Sequence, residues 1–373
     1  MSEYQYYEWQ AVDRLLTESE QEAVGKLSSH IEVSASRAVV TYSYGDFKHD
    51  PRAVLARFFD AHLYLANWGS RRLMFRFPSG LVSRDAVEPY CIPDRITFKT
   101  VCGHDVLDMD LSEEEGGGWI EGERSLSGLL ALREYLVQGD CRALYIAWLK
   151  AMSVQDGGYL PQRRKSCAPP PVPAGLKRLS PALSRLVKQF DVPESLVEAA
   201  AELSPDLAES VETDFRPLVA QLPREVCEEF LCRFVRSDLS AGPELKRTLR
   251  ALAVRPPAVL GPSPAFEALV KCAAVLEAER KERRRQEALK KHEAEMRALA
   301  DREEEVWRQV REQVDIKKTH GYEEAIRLLK KLSQLAEHRK TRAAFRQRVA
   351  DLCERYHRLT GFKSRVKQAG LAK

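Results

Sequence analysis

The sequence lacks the short motifs that mark the common enzyme classes. It contains no glycine-rich phosphate loop, dinucleotide fingerprint, nucleophile elbow, kinase signature or metalloprotease helix. Its eight cysteines are scattered without a CxxC pair or a regular spacing. This scatter argues against a zinc site and a disulfide framework and favours a reducing compartment. The sequence therefore predicts no metal and no cofactor.

Long apolar runs and a targeting segment are also missing. The most apolar helical stretch, residues 143–149, is far shorter than the roughly 20 residues that a helix needs to cross a bilayer. The residues after Met1 show neither the basic region nor the apolar region of a secretory signal. We therefore expect a cytoplasmic protein without a membrane partner.

Charge is plentiful but unevenly distributed along the 373 residues. Residues 1–160 carry 16 Lys and Arg against 24 Asp and Glu, whereas residues 326–373 carry 14 against three. A polycationic segment attracts polyanions or acidic protein surfaces over long distances. A chain of this length also exceeds what one hydrophobic core usually serves, so we expect two or three structural units.

Residues 1–160 alternate between strand-like and helix-like patterns, which predicts an α+β domain with a mixed or antiparallel sheet. Five segments favour strands because they are rich in aromatic and β-branched residues or alternate in polarity: 4–12, 39–44, 71–77, 96–101 and 105–111. A tight connection joins the last two segments and predicts a hairpin.

Capping residues indicate where the helices of this domain begin. Thr17 with Glu20 three positions later has the capping-box pattern. Asp50 before a proline is typical of an N-cap with proline at the first helical position. Apolar residues at three- and four-residue steps predict that this second helix continues over residues 55–66 and stops at Gly69. Two more helices complete the domain.

Proline-rich segments divide the rest of the chain. Residues 161–175 and 255–264 are predicted linkers, with a small all-helical domain at 176–254 between them. Residues 265–318 contain no proline or glycine, which predicts one long charged helix. Residues 319–373 show two apolar stripes, which predict a basic αα-hairpin. One helix pair cannot bury its own apolar face, so we expect this hairpin to dock on another surface.

The sequence leaves two arrangements of the long helix undecided. Leu289, Met296 and Val310 share one heptad position, but charged residues interrupt the seam. A homo-oligomer formed through this helix is one alternative. The other is a solitary helix held by Glu–Arg and Glu–Lys pairs four residues apart.

One strand carries the first candidate site. His104, Asp108 and Asp110 project from the same face because even numbers of residues separate them. A carboxylate–imidazole cluster could support acid–base or metal chemistry. The alternative is the solvated face of an amphipathic strand. The acidic turn at residues 46–50 has a similar pair of interpretations, as a cation site or as an ordinary turn with a helix cap.

Two further groups are candidate binding residues. Trp68, Arg71 and Arg72 share a turn and could contact an anion or a protein partner. Five basic residues in the tail could contact phosphates or an acidic partner: Arg346, Arg355, Arg358, Lys363 and Arg365. The alternative for the tail is the solvated side of a helical hairpin, since few aromatic residues are interleaved for base stacking.

Two stretches resemble known bacterial proteins. Residues 2–14 (SEYQYYEWQAVDR), with 45–48 (GDFK) and 58–69 (FFDAHLYLANWG), resemble an uncharacterised family over about the first 80 residues. That resemblance implies no activity. Residues 321–371, from GYEEA to QAGL, are similar to the tail of bacterial SWIM-type zinc-finger proteins. The zinc ligands of that finger, a CxC pair followed by CxH, are absent here, so the resemblance implies no nucleic-acid binding through such a finger.

The sequence as a whole favours a non-enzymatic interaction or adaptor protein. In this hypothesis the α+β domain and the basic tail bind different partners, at least one of them a protein, and the long helix separates them. A nucleic-acid-associated accessory protein that uses the basic tail is the first alternative. An enzyme centred on His104 and Asp108 is the second.

Overall fold

The computed structural model divides into two compact units, Met1–Glu277 and Ala278–Lys373. It describes the following residues: 4–113, 125–154, 168–207, 215–236, 238, 241–252 and 259–371. Among the helices of these residues, none combines the length and the apolar character that crossing a membrane requires.

A seven-stranded sheet forms the centre of the first unit. Its strands are β1 (Gln5–Gln10), β2 (Glu32–Val33), β3 (Arg37–Tyr42), β4 (Ala61–Ala66), β5 (Arg71–Pro78), β6 (Ile96–Val101) and β7 (His104–Asp110). They are ordered β2-β3-β1-β4-β5-β7-β6, and all neighbouring strands are antiparallel. The predicted α+β fold is confirmed, and of the two predicted sheet types, mixed or antiparallel, the sheet is antiparallel.

Ten α-helices of the first unit lie among the described residues, before a long helix that begins at Phe266. They are α1 (Glu18–Gly25), α2 (Pro51–Phe58), α3 (Arg84–Val87), α4 (Leu130–Val137), α5 (Arg142–Ser153), α6 (Pro181–Gln189), α7 (Glu194–Leu203), α8 (Phe215–Val219), α9 (Arg224–Val235) and α10 (Ala241–Leu252). The predicted capping box is confirmed, because the Thr17 hydroxyl accepts from the Glu20 N–H and the Glu20 carboxylate accepts from the Thr17 N–H. The Asp50 carboxylate caps α2 in the same way, accepting from the Arg52 N–H at 2.9 Å.

Strand β4 corrects the prediction of a helix that continues to Gly69. Helix α2 ends at Phe58, and Asp60 then turns the chain: its N–H donates to the Gln10 carbonyl at 2.9 Å, and its carboxylate accepts from the Val12 N–H at 2.7 Å. The chain continues as a strand between β1 and β5. The helical spacing was misleading because a short apolar run fits both periods, and these contacts with β1 decide between them.

Both faces of the sheet are covered. On one face Leu73 and Phe75 belong to a large core that includes Trp148 of α5. On the other face Trp9 and Met74 belong to a second core that α2 closes. The predicted strand at residues 71–77 forms, and it is packed on both sides, since Met74 is fully buried on the side opposite to Leu73 and Phe75.

The described parts of the two predicted linkers pair with each other. The Val172 N–H donates to the Pro262 carbonyl at 3.0 Å, and the Gly261 N–H donates to the Val172 carbonyl at 2.7 Å. Val172 is fully buried in the large core. The domain boundaries stay predictions, since residues 155–167 and 253–258 lie outside the described residues.

The helices of the second unit differ in number from the prediction. The long helix is α11 (Phe266–Asp301), which begins in the first unit, and it is followed by α12 (Glu303–Asp315), α13 (Thr319–His338), α14 (Arg342–Arg355) and α15 (Thr360–Gln368). A long charged helix is confirmed, but it is interrupted at Arg302, where φ is −110° and ψ is 13°. The prediction of a two-helix hairpin is wrong in the number of helices, because the described part of residues 319–373 contains three.

Helix α12 supplies the docking surface that the C-terminal helices need. Its Val306, Trp307, Val310 and Val314 are buried against apolar residues of α13, α14 and α15. The heptad residue Val310 is thus fully buried within one chain. At Gly321 the helices approach so closely that an added Cβ would lie 2.5 Å from the Gln313 carbonyl oxygen, which only glycine avoids.

Candidate functional site

The residues of the predicted carboxylate–imidazole cluster lie apart from one another along strand β7. Asp108 accepts two hydrogen bonds of 2.6 Å from Arg72, and the Arg52 guanidinium lies 3.6 Å away. Its side chain is only 7% exposed. Asp108 therefore forms a bidentate ion pair between neighbouring strands, and both of its oxygens are occupied.

His104 lies at the other end of the same strand. It pairs with Val101 beside the hairpin turn, and its Nδ1 is 3.2 Å from the Cys102 carbonyl oxygen. Four residues of extended chain separate it from Asp108, which corresponds to about 13 Å. Asp110 is the third member of the row, and its carboxylate accepts from the Ser112 N–H. Across the described ranges, no group of three His, Cys, Asp or Glu side chains could hold a metal ion.

The face that carries Asp108 is not solvated, contrary to the alternative interpretation of this strand. Val106, on the same face, is 2% exposed and belongs to the second core. Burial therefore holds the Arg72–Asp108 pair in a fixed geometry.

The carboxylates of the acidic turn before α2 accept hydrogen bonds from within the protein. The Asp46 carboxylate accepts from the buried Gln5 side chain at 2.8 Å, and Asp50 caps α2. His49 is exposed beside them and stacks edge-on against Phe47.

The turn between β4 and β5 separates its two arginines. Arg72 faces Asp108, whereas Arg71 projects to the other side, where it donates to the Gln189 carbonyl at 3.2 Å and forms an ion pair with Asp191. Trp68 remains partly exposed at the tip of the turn. The predicted joint anion site is therefore not formed by Arg71 and Arg72 together.

Lys150 is a buried cation that the sequence analysis did not single out. Its ammonium donates to the Asp191 carbonyl at 2.9 Å and to the Glu113 carboxylate, and the residue is 1% exposed. With Arg71 it brings two cations to the C-terminal end of α6, where carbonyl groups accept charge-assisted hydrogen bonds. A single lysine within the apolar run at 143–152 was the available signal in the sequence.

His62 is the second residue that the sequence analysis did not single out as a site. Its ring is stacked on Trp9 with centroids 4.6 Å apart, and its Nδ1 lies 3.0 Å from the Glu8 carbonyl oxygen. Burial lowers the pKa of His62 to about 3, so the ring is neutral at ordinary pH. Its Nε2 has no hydrogen-bond partner among the described atoms. Asp60 contrasts with it: burial acts to raise the pKa of this carboxyl, but the charges of Arg76 and Arg133 and the hydrogen bonds from the Asp13 and Val12 N–H groups together lower it.

The five candidate residues of the tail are divided between different sides of the second unit. Arg365 lies over the Tyr322 ring and donates to the Gly361 carbonyl, so it is held by its own unit. The other four residues are exposed and form no ion pair with a described carboxylate: Arg346, Arg355, Arg358 and Lys363. Arg355 follows Arg346 by nine residues, which is two and a half helical turns, so the two project from opposite sides of α14.

The carboxylates of α12 already have partners. Glu304 accepts two hydrogen bonds of 2.5 and 2.6 Å from Arg348, whose guanidinium also lies over the Trp307 ring. Glu303 accepts from Arg339 at 3.1 Å. The acidic helix therefore neutralises some of the basic residues of the tail and leaves others uncompensated.

No protein-family model matches this chain, and no curated protein or solved structure matches it either. The two resemblances described for the sequence therefore stay predictions. The proposed function therefore rests on the geometry of the residues described above.

Proposed function

We propose that this chain is a non-enzymatic interaction protein whose second unit binds an anionic partner. One observation carries the proposal: the α12 carboxylates pair with Arg339 and Arg348, while Arg346, Lys363 and Lys367 stay exposed without a described carboxylate partner. Uncompensated cations at a surface attract anions and steer their approach. A protein partner of the first unit stays a prediction.

The enzyme alternative finds less support in the same geometry. Asp108 is held by Arg72, and His104 belongs to the opposite end of its strand. A general base needs a free lone pair within hydrogen-bond reach of its substrate. Both Asp108 oxygens already accept hydrogen bonds in a buried position.

A cytoplasmic location forms part of the proposal. The seven described cysteines are all free thiols, as expected in a reducing compartment. Burial raises the pKa of Cys141 to about 12 and that of Cys91 to about 11, so neither is a reactive thiolate at neutral pH.

Retention of the full-length chain on heparin resin tests the proposal. The charge-reversal variant Arg346→Glu/Lys363→Glu/Lys367→Glu should elute at clearly lower salt than the unmodified chain. The matched control reverses three exposed lysines of the first unit: Lys26, Lys48 and Lys99. We expect the control to elute closer to the unmodified chain. Failure of the unmodified chain to bind, or equal shifts for both variants, would contradict an anionic partner at the second unit.

A further inference from the structure

One stretch of α11, residues 281–295, is exposed at every position, so no side of the helix is buried there. The stretch is about 22 Å long at 1.5 Å per residue. It carries six Lys and Arg, four Glu and a single large apolar residue, Leu289. A helix that is polar all round presents its charges to the solvent and to any partner.

Four cations of this stretch share one side of the helix, which we call the basic side: Arg283, Arg284, Lys290 and Lys291. Residues seven positions apart differ by only about 20° around a helix axis, so these two pairs fall within an arc of about 120°. None of the four forms an ion pair with a carboxylate of the described chain. Of the four glutamates in the stretch, Glu287 alone falls inside the arc, so the basic side has an excess of positive charge.

Contacts of α11 show which of its sides faces the rest of the second unit. The ring centroid of His292 is 6.4 Å from that of His338 on α13. Met296 is 6% exposed, and Leu299 packs against the apolar core that α12 shares with the C-terminal helices. Helical spacing places the centre of His292, Met296 and Leu299 about 150° from the centre of the basic side. The basic side therefore points away from the helices that α11 contacts in this unit.

The composition of the stretch suits a nucleic acid better than a protein or a membrane surface. Stable protein interfaces have an apolar core, often with large aromatic anchors, and the sequence has no Phe, Tyr or Trp between Phe266 and Trp307. A helix that lies on a membrane needs a whole apolar face, which Leu289 alone does not form. Nucleic-acid backbones need positive charge and hydrogen-bond donors, which arginine and lysine supply.

The same lack of aromatic residues indicates which form of nucleic acid fits. Proteins that hold single strands stack the bases on aromatic rings, whereas the bases of a duplex are already stacked. A duplex also carries about one negative charge per 1.7 Å of its axis and is stiff, so little conformational freedom is lost when a helix binds along it. A rigid helix with two pairs of cations about 10 Å apart along its axis is therefore suited to a duplex.

We infer that the basic side of α11 binds the phosphate backbone of double-stranded nucleic acid. These residues are separate from the exposed cations of α14 and α15, but the inference rests on the proposed function, since both assign an anionic partner to the second unit. Phosphate contacts carry no sequence information, so affinity should depend little on base sequence. Each contact releases counterions, so binding should weaken steeply as salt rises.

Fluorescence anisotropy of labelled probes with the full-length chain tests the inference. The probes are short duplex DNA and duplex RNA of arbitrary sequence, a single-stranded DNA, and poly-L-glutamate as a mimic of an acidic protein. We expect duplex binding at about 50 mM salt that falls strongly at about 200 mM. The Arg283→Gln/Arg284→Gln/Lys290→Gln/Lys291→Gln variant should bind duplex at least about tenfold more weakly, and its slope of log affinity against log salt should be smaller by about 3.6, for four lost contacts.

Two controls separate the loss of this site from a loss of charge or of helix. The matched control neutralises four other exposed lysines, of which the last lies on α11 outside the stretch: Lys26, Lys48, Lys99 and Lys271. It should keep its duplex affinity within about threefold. Arg283→Lys/Arg284→Lys retains the charge and should also stay within about threefold, and circular dichroism should show the same helix content in every variant. Equal losses for the glutamine variant and the matched control would overturn the inference.

The remaining outcomes distinguish the inference from the proposed function. The Arg346→Glu/Lys363→Glu/Lys367→Glu variant is measured in the same assay. If that variant lost duplex binding while the glutamine variant of α11 kept it, the inference would be overturned and the proposed function would stand. A preference for poly-L-glutamate or the single strand over duplexes would have the same consequence. No binding to any probe at low salt would overturn both.

Discussion

A buried ionic pair of the first unit contrasts with an exposed ionic pair of the second. In the first unit the side chains of Asp60 and Arg76 are 1% and 8% exposed, whereas in the second unit those of Glu304 and Arg348 are 75% and 37% exposed. Breaking a buried pair leaves an uncompensated charge in the interior, but an exposed pair exchanges readily with water and ions. The buried Asp60–Arg76 pair therefore stabilises the fold of the first unit, whereas the exposed Glu304–Arg348 pair should contribute little to the stability of the second.

The sharpest test of this comparison is Asp60→Ala. The change leaves Arg76 buried without its partner and removes the acceptor of the Val12 and Asp13 N–H groups. We expect a loss of about 3–5 kcal/mol in the free energy of unfolding. Urea unfolding followed by circular dichroism measures it. A loss below about 1 kcal/mol, as at an exposed pair, would break the comparison.

A smaller loss is expected for Asp108→Asn. Asparagine keeps one acceptor oxygen for Arg72 and replaces the other oxygen with an NH2 donor, so one of the two hydrogen bonds and the carboxylate charge are lost, which should cost about 1.5–3 kcal/mol. The matched control is Asp110→Asn on the same face of β7, since the Asp110 side chain is 31% exposed and its guanidinium neighbour Arg95 is 3.9 Å away. The same denaturation measurement compares the two variants, and equal losses would contradict the role assigned to burial.

The first unit should also lose stability in acid because of His62. Its folded pKa of about 3 is lower than the ordinary value of 6.5, so the unfolded state binds a proton first. The stabilising contribution is complete above pH 6.5 and declines as pH falls toward 3, by about 1.4 kcal/mol per pH unit and about 2 kcal/mol at pH 5. Unfolding of the wild type and of His62→Phe between pH 7 and 5 measures this effect. An unchanged slope in the variant would assign the acid sensitivity to other groups.

The smallest effect should follow Glu304→Gln in the second unit. The pair with Arg348 is exposed, so its loss should change the free energy of unfolding by less than about 1 kcal/mol. Arg348 becomes uncompensated, and affinity for heparin should rise slightly. Thermal melting and heparin elution of the same variant check both statements. A large loss of stability would show that the exposed pairs of the second unit also hold its fold.

Local signals in the sequence predicted the features that short segments determine. The capping box at Thr17 and the cap at Asp50 form as the residue types require. The hairpin between β6 and β7 also forms, with Cys102 and Gly103 both at positive φ, as a two-residue turn between twisted strands requires. These features depend on contacts within a few residues, so one sequence is enough to predict them.

Features that depend on distant contacts were not predicted. His62 belongs to a strand because β1 and β5 pair with its segment, and nothing within that segment distinguishes a strand from a helix. The break at Arg302 follows no proline or glycine. It separates α12, which is buried against the C-terminal helices, from the exposed charged helix before it.

The candidate site was predicted in residue type but not in arrangement. Exposed basic residues in the tail were identified from composition, yet the side on which each one lies depends on how three helices pack on α12. Arg365 is held over Tyr322, whereas Lys363, two positions earlier, is exposed. The sequence alone gave no reason to separate these two residues.

Gly321 gives the second unit an uneven tolerance to variation. Surface charges on α14 and α15 can change with little effect on packing, but a single methyl group at 321 would meet the Gln313 carbonyl and the Ile316 side chain. Such a methyl group would force α12 and α13 apart. Drift in sequence should therefore change the surface charge of this unit more readily than it changes the crossing of these two helices.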